Sequence, residues 1–286
     1  EVKWRSPTSG ADALRGQPGV TLRNEDAAGF VPNIGMRGLN PDRSERMLVL
    51  EDGVPAGLAP YIENAAYFFP PFERMARVEV LKGSGQLLYG PHTVGGVLNL
   101  VTPEIPLCPS GRLRTVAGSH GYVMGYGEGG GTFGPFGVLV SVFHKGGDGW
   151  KDDSEFEAQD VTIKGRWTFS ERTNLTAKLN WYRHETHQSY VGLTTGLYDE
   201  DPFRHLAPND VLDVDWWSGQ LTLRHRFSSC VRLLANAYVS DARRDWNRQD
   251  YARNVGFAAP PANTVETYGD TAVDGGAVYM RASFGS

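Results

Sequence analysis

The sequence predicts an α+β domain followed by antiparallel, membrane-spanning β-barrel strands. Two observations lead to this prediction. Up to about residue 105 the chain consists of short, strand-like apolar segments separated by glycines, whereas from Gly111 onward apolar and polar residues alternate. The length of 286 residues is by itself compatible with one large β domain or two ordinary domains, so these patterns decide the fold class.

Composition excludes several classes of protein. The net charge of −5 has both signs interspersed and forms no basic stripe, so nucleic-acid binding is not expected. No apolar run approaches the ~18 residues that a membrane-spanning helix needs. Cys108 and Cys230 lack metal-site spacing, and we expect two unpaired cysteines.

The first region contains three short predicted strands and one helix end. The strands are expected at 47–50, 77–81 and 95–101, where β-branched and apolar residues cluster. Residues 12–15 precede a glycine and resemble the end of a short helix. This pattern predicts a small, glycine-punctuated α+β domain.

The second region repeats with a period of two. In 161–169 the odd positions are apolar or glycine and the even positions are polar, and similar alternation occurs at 175–181, 221–227 and 231–239. A period of two is typical of strands with one apolar face. We therefore predict that the odd-numbered residues of 161–169 and 175–181 face lipid.

Connection lengths favour a membrane barrel over a soluble β-sandwich, the alternative for these alternating segments. Eight strands are predicted at 111–119, 121–130, 136–144, 158–168, 174–184, 215–226, 231–241 and 273–284. Short connections alternate with long polar ones at 145–157, 185–214 and 242–272, as in outer-membrane barrels with short turns on one rim. Aromatic residues near the strand ends predict a girdle: Trp167, Phe169, Trp181, Tyr182, Trp216 and Trp217.

Four motifs in residues 19–106 resemble a known domain. In order they are GMRG (35–38), LEDGVP (50–55), VEVLKG (78–83) and YGPHTVGGVLNLVT (89–102). Together they resemble the plug domain of TonB-dependent outer-membrane transporters, most closely the ferric-citrate branch. Residues beyond 106 match that family only through their alternation.

The resemblance implies an outer-membrane receptor that takes up a ferric chelate and is not an enzyme. In that family a plug fills a barrel of roughly 22 strands, and the inner-membrane TonB–ExbB–ExbD system moves the plug. It implies a plug at 1–105, incomplete at its N-terminus, and the N-terminal part of the barrel at 106–286. Only about eight strands are counted and no TonB-binding segment is recognised before Glu1, so we expect part of a longer chain.

The resemblance also implies a lock between plug and barrel. The family's matching arginine and the basic residue of its V-E-V-x-[KR]-G strand face paired acids of the barrel, which assigns these roles to Arg37 and Lys82. A guanidinium in a water-poor plug needs a carboxylate partner. The alternative is that Arg37 pairs locally with Asp52 or Glu79.

The ligand site is expected at the plug apex, in loops 24–33 and 61–66, and in the outer loops. Candidate residues are Asn24, Glu25, Asp26, Arg43, Tyr61, Glu63, Arg243, Arg244 and Arg248. In the ferric-citrate branch the first of these loops offers a hydroxyl and the second an amide. In this chain residues 24–28 of the first loop carry no hydroxyl, and the second loop has Glu63 in place of the amide. A carboxylate repels an anionic chelate, so either arginines compensate or the ligand is neutral, cationic, or bound through its metal by Glu63. The second interpretation is favoured.

Other chemistry is weakly supported. His184 and His187 are three apart on a predicted strand and should face opposite sides, so no metal site or cofactor is predicted. Two other functions remain open. One is a structural or passive porin-like envelope module that keeps a plug without TonB coupling, and the other is a soluble carbohydrate-binding β-protein.

Overall fold

The computed structural model describes residues 14–24, 28–57, 68–83, 89, 93–187, 191–250, 264–269 and 273–284. We call the part before Ser110 the plug and the large sheet from Ser110 to Phe284 the wall. Among the described residues, no helix has the length and apolar character needed to cross a membrane.

The plug contains two small sheets. Strands β1 (Val20–Asn24) and β2 (Pro32–Met36) form an antiparallel pair. The second sheet consists of β3 Met47–Glu51, β4 Val54–Pro55, β5 Arg77–Lys82 and β6 Gly96–Val101, with single 3₁₀ turns at Asp42–Ser44 and Phe72–Arg74 nearby in the chain. Its strand order is β4-β3-β6-β5, in which β3 and β6 are parallel and the other pairs antiparallel.

Burial explains the sequence of the plug strands. The central β3 reads MLVLE and is buried throughout, because it is covered on both faces, as the continuous apolar run of a parallel pair requires. The three strands predicted at 47–50, 77–81 and 95–101 lie within one residue of the observed ones. The predicted helix at 12–15 lies mostly outside the described residues.

The wall is one antiparallel sheet. Its strands are β7 Ser110–Ala117, β8 Val123–Phe133, β9 Phe136–Gly147, β10 Phe156–Ser170, β11 Thr173–Thr186, β12 Val211–Arg226, β13 Val231–Asp250, β14 Thr264–Gly269 and β15 Val273–Phe284. Each strand from β7 to β12 pairs with the next along the chain. β14 pairs with the far half of β13 and β15 with its near half. Within the described residues the sheet has open edges at β7 and at β14 and β15.

The two faces of the wall differ as the alternation predicts. On β10 and β11, Ile163 and Leu179 are 45% and 60% exposed, whereas Lys164 and Lys178 are 9% and 7% exposed. The apolar face is therefore directed away from the plug and the polar face toward it. A soluble β-sandwich buries its apolar face and exposes its polar one, and this sheet does the opposite. Apolar side chains outside and polar ones inside are the arrangement of a membrane barrel.

Two predicted girdle residues face the plug instead of lipid. Trp181 and Trp217 are register partners on the outer face, but Tyr182 and Trp216, one position away, are buried at 1% and 5% exposure. Since neighbouring strand residues point to opposite faces, four consecutive aromatics on two strands divide between lipid and lumen. The girdle assignment is therefore wrong for Tyr182 and Trp216.

The wall strands extend further into the long connections than predicted. β13 continues to Asp250, so Arg243 and Arg244 lie in a strand and not in the loop expected at 242–272. The connection expected at 185–214 narrows to 187–210 and holds the short helix α1, Thr195–Glu200. The strands continue here with polar residues on both faces, which hides their period of two from a search for an apolar face.

Candidate functional site

The best-defined polar site lies where the β3–β4 turn of the plug contacts the wall. Asp52 and Gly53 both have positive φ, 49° and 82°, as a two-residue hairpin loop requires. Asp52 is held by Thr102, whose amide and hydroxyl donate to its carboxylate at 3.0 and 2.6 Å. The turn thereby directs the carboxylates of Glu51 and Asp52 at the wall.

Arg74 links this turn to the wall from within the plug. Its two terminal nitrogens donate to both oxygens of Glu51 at 2.9 and 2.8 Å, a bidentate pair. Its Nε lies 3.1 Å from Asp160 Oδ2 on β10, as an ion pair without hydrogen-bond geometry. Asp160 also accepts hydrogen bonds from Thr162 at 3.0 Å and Asn180 at 2.8 Å. The guanidinium, 1% exposed, thus lies between a plug acid and a wall acid.

Two lysines of the wall complete the network. Lys178 Nζ on β11 donates to Glu51 Oε1 at 2.9 Å and to Asp52 Oδ2 at 2.7 Å. Lys164 Nζ on β10 lies 3.5 Å from Asp52 Oδ2 and donates to the carbonyl of Pro103 at 3.0 Å. We call these six side chains the ionic seam: Glu51, Asp52 and Arg74 of the plug with Asp160, Lys164 and Lys178 of the wall.

A second buried ion pair lies nearby. Lys145 Nζ on β9 donates to Glu73 Oε1 at 3.0 Å and to the carbonyl of Ala28 at 2.6 Å. Both side chains are 4% exposed, and Lys145 lies 5.2 Å from the centre of the Phe30 ring. Among the described residues, this pair is a second charged contact of the plug with the wall, separate from the ionic seam.

Aromatic side chains form an apolar contact between these polar ones. Phe30 stacks on His184 with ring centres 5.0 Å apart, and Phe68 meets Tyr182 and Trp216 edge-on at 5.1 and 3.8 Å. Tyr182 and Trp216 are the two girdle candidates that face the plug. They add packing to the charged contacts, since aromatic pairs contribute beyond the area that they bury.

The ionic seam is balanced in charge, with three carboxylates and three cations. Burial alone would raise the pKa of Glu51, but Arg74 and Lys178 outweigh it and lower that pKa to about 2. Asp52 follows the same logic: burial opposes ionisation, and Lys178 and Lys164 hold its pKa below the usual range. For Arg74, burial is overcome by Asp160 and Glu51, which raise its pKa. The three plug groups are therefore charged at neutral pH.

The predicted lock residues lie elsewhere. Arg37 is exposed on the turn after β2, with φ of 59°, and Lys82 Nζ donates to the carbonyl of Pro18 at 2.6 Å. Neither forms an ion pair with any residue that the structure describes, so their contact with acids of further barrel strands stays a prediction. Local pairing of Arg37 is not observed, because Asp52 binds wall lysines and Glu79 binds Arg77 at 3.0 Å.

The predicted ligand residues are only partly described. Glu25, Asp26, Tyr61 and Glu63, and the side chains of Asn24 and Arg248, lie outside the described residues. Arg43 has φ of 49°, and its amide donates to Asn33 Oδ1 at 2.6 Å. Arg243 faces outward and pairs with Asp245 at 2.7 Å, whereas Arg244 is on the inward face of β13. The ligand-site assignment therefore stays a prediction.

Sequence reasoning missed the ionic seam although one signal was present. The signal was the position of Lys164 and Lys178, which lie in the middle of predicted strands on the polar face. A lysine facing a water-filled lumen needs no specific partner, so these positions did not by themselves indicate an ion pair. The carboxylates that Lys178 binds, those of Asp52 and Glu51, are 126 and 127 positions away in the sequence, so spacing along the chain could not identify them. The motif LEDGVP located the turn but not what it contacts.

The described residues thus form a plug that is joined by buried charges to the polar face of a wall whose other face is apolar. Residues 1–97 match the family model of the TonB-dependent Receptor Plug Domain. The fold of the chain is that of the TonB-dependent receptors of the outer membrane.

Solved structures specify this likeness further. The chain is similar to the ferric citrate transporter FecA in its unliganded form, with 24% identity and a TM-score of 0.74 over 84% of this chain and 38% of that chain. It is also similar to BauA, the ferric preacinetobactin receptor of Acinetobacter baumannii, with 19% identity and a TM-score of 0.69 over 87% of this chain and 37% of that one. The ferripyoverdine receptor of Pseudomonas aeruginosa is similar with 16% identity and a TM-score of 0.70 over 90% of this chain and 34% of that one. The chain therefore spans little more than a third of these receptors.

Proposed function

We propose that this chain is the plug and adjoining wall of an outer-membrane transporter that imports a ferric chelate by TonB-coupled movement of the plug. The observation that supports it most is the ionic seam. Four of its ion pairs join plug to wall through side chains alone: Arg74–Asp160, Lys164–Asp52, Lys178–Glu51 and Lys178–Asp52. Such a contact holds the plug in place and can still be separated.

The polarity of the contact suits a part that has to move. If the two surfaces were apolar, separating them would expose apolar area to water at about 25 cal/mol per Å². Charged groups that part in the presence of water are hydrated instead, which offsets the loss of their mutual attraction. The ionic seam thus resists movement less than an equal area of apolar contact would, although the aromatic contacts beside it still have to separate.

The chelate is assigned by charge. Glu63 in the expected apex loop would repel an anionic complex, so we favour a chelate that is neutral or cationic, or one whose metal Glu63 helps to bind. Calorimetric titration of the full-length protein with ferric citrate, in the wild type and in Glu63→Gln, tests this assignment. We expect weak wild-type binding that the substitution strengthens. Tight wild-type binding that the substitution leaves unchanged would refute the charge argument.

Transport itself is tested in cells. Uptake of radiolabelled iron should depend on the full-length protein and should be lost when TonB is absent, because the plug then stays seated. The iron should be supplied as a panel of chelates of different charge. Equal uptake with and without TonB would instead support a passive porin-like module.

A further inference from the structure

A polar cleft separates the plug from the wall beside the ionic seam. It has a volume of about 450 Å³ and lies between the end of the plug sheet and strands β10, β11 and β12. Arg166, Asn174 and Arg224 line it near the tight turns at 171–172 and 227–230. In barrels of this kind the short turns are on the periplasmic side, so the cleft opens on the side opposite the expected ligand loops.

The lining has an excess of positive charge. The cleft is lined by five cationic residues, Arg77, Lys164, Arg166, Lys178 and Arg224, and by two acidic residues, Asp52 and Glu104. Lys164 and Lys178 are neutralised by the acids of the ionic seam. Arg224 forms no ion pair with the described residues, and Arg166 donates only to the Thr132 hydroxyl, at 3.3 Å. Neither guanidinium is ion-paired with a carboxylate among the described residues, and Glu104 is the acid of the lining that is not part of the ionic seam.

Neutral donors surround these guanidiniums. Gln220 and Thr222 are buried members of the lining, and Asn99 and Thr176 complete its polar part. Asn174, the register partner of Arg224, has a buried side-chain oxygen without a hydrogen-bond partner among the described residues. Because a half-turn of an amide exchanges its oxygen and nitrogen, this position can also present a donor.

We propose that this cleft binds a small polycarboxylate anion on the periplasmic side of the plug. Planar guanidiniums bind carboxylates through two parallel hydrogen bonds. The cleft is large enough for a small molecule with several carboxylates, and amide and hydroxyl side chains line it together with the guanidiniums. The inference rests on the proposed function, since the cleft would be a second site for the organic part of an imported chelate. Arg166 and Arg224 would bind the carboxylates of that organic part.

Equilibrium binding of iron-free citrate to the purified full-length protein tests the proposal. The variants are Arg224→Gln and Arg166→Gln, with Arg226→Gln as the matched control, because Arg226 lies two positions further on the same strand and does not line the cleft. We expect Arg224→Gln to weaken citrate binding by about tenfold or more, the effect of losing one charge-assisted hydrogen bond. Arg226→Gln should change it little. Arg224→Gln breaks no described side-chain contact, so it should fold even if Arg166→Gln does not.

Each other outcome overturns the proposal. No binding of citrate by the wild type, or equal losses in Arg224→Gln and Arg226→Gln, would show that the cleft is not a site. Equally tight binding of inorganic phosphate would show that the class of ligand is wrong. Stronger citrate binding in Glu63→Gln, together with unchanged binding in Arg224→Gln, would place the citrate at the outer site. Binding of iron-free citrate does not depend on iron uptake, so failure of transport leaves this result interpretable.

Discussion

At the scale of single residues, the plug and wall are joined by charges whose surroundings differ sharply from those of the surface pairs. The side chains of Lys178 and Glu51 are buried, whereas those of Arg183 and Asp213, an ion pair across neighbouring wall strands, are 48% and 30% exposed. Exposed pairs contribute about 0–1 kcal/mol, and breaking a buried pair costs about 3–5 kcal/mol because one charge is left alone. The same pairing chemistry therefore has different consequences at the two positions.

Substituting Lys178 should loosen the plug. In Lys178→Ala, Glu51 and Asp52 lose their shared cation, and we expect the plug of the full-length protein to be destabilised by about 3–5 kcal/mol. The urea concentration at which the plug becomes sensitive to protease measures this effect. Arg183→Ala is the matched control and should shift that concentration by an amount equivalent to about 1 kcal/mol or less. Equal shifts in both variants would contradict the role of the seam.

Acid should weaken the same contact over a defined range. The pKa of Glu51 is lowered from 4.5 to about 2 in the folded protein, so the stability that its ionisation contributes is present above pH 4.5 and is lost as the pH falls toward 2. Protease sensitivity of the plug should rise through this range. Glu51→Gln, which cannot titrate there, should respond less steeply. An identical acid response in the variant would rule out Glu51 as a contributor.

At the scale of elements, the strands of the wall could be predicted because alternation records a local preference for lipid or lumen. The three central plug strands were predicted for a similar reason, since their apolar runs are short and separated by glycines. What alternation could not provide was the content of the lumen. Tyr182 and Trp216 are aromatic, as the residues of a membrane girdle are. They lie at even-numbered positions of their strands, however, and that position directs them at Phe68 of the plug.

Neighbouring cysteines on β10 test the two faces. Ile163→Cys should react with a lipid-soluble maleimide in the membrane, whereas Thr162→Cys, buried toward the plug, should be protected. Leu179→Cys should behave like Ile163→Cys. Cys108 and Cys230 are exposed and must first be replaced by serine. A reversed or equal reaction at 162 and 163 would invert the assignment of the wall's faces.

At the scale of the whole molecule, the ionic seam could not be predicted because its members come from distant parts of the chain. Glu51 and Asp52 were visible as a turn, and Lys164 and Lys178 as polar strand positions, but only the docking of plug on wall brings them together. The resemblance assigned the lock to Arg37 and Lys82, and neither forms an ion pair with the described residues. The family's fold was therefore easier to infer than this chain's own contacts.

The Arg37 prediction belongs to the complete barrel. If Arg37 and Lys82 meet carboxylates of further strands, Arg37→Ala should leave an uncompensated buried charge and loosen the plug of the full-length protein by about 3–5 kcal/mol. Thermal unfolding of the plug and ion leak through the reconstituted protein measure the two effects. Arg15→Ala provides a plug arginine for comparison, exposed and outside the four family motifs. Unchanged melting and leak in Arg37→Ala would remove Arg37 from the lock.

Separation of plug and wall would also change what the opening conducts. The plug contributes Glu51, Asp52, Glu73 and Arg74 to the buried pairs, a net charge of −2, and the wall contributes Lys145, Asp160, Lys164 and Lys178, a net charge of +2. When the plug withdraws, this stretch of the wall is left positively charged, and charged rings of this sign favour anions in a pore. Under a salt gradient, the reversal potential of the plug-free barrel should therefore indicate anion selectivity, and Lys145→Gln with Lys178→Gln should shift that potential toward the value for cations.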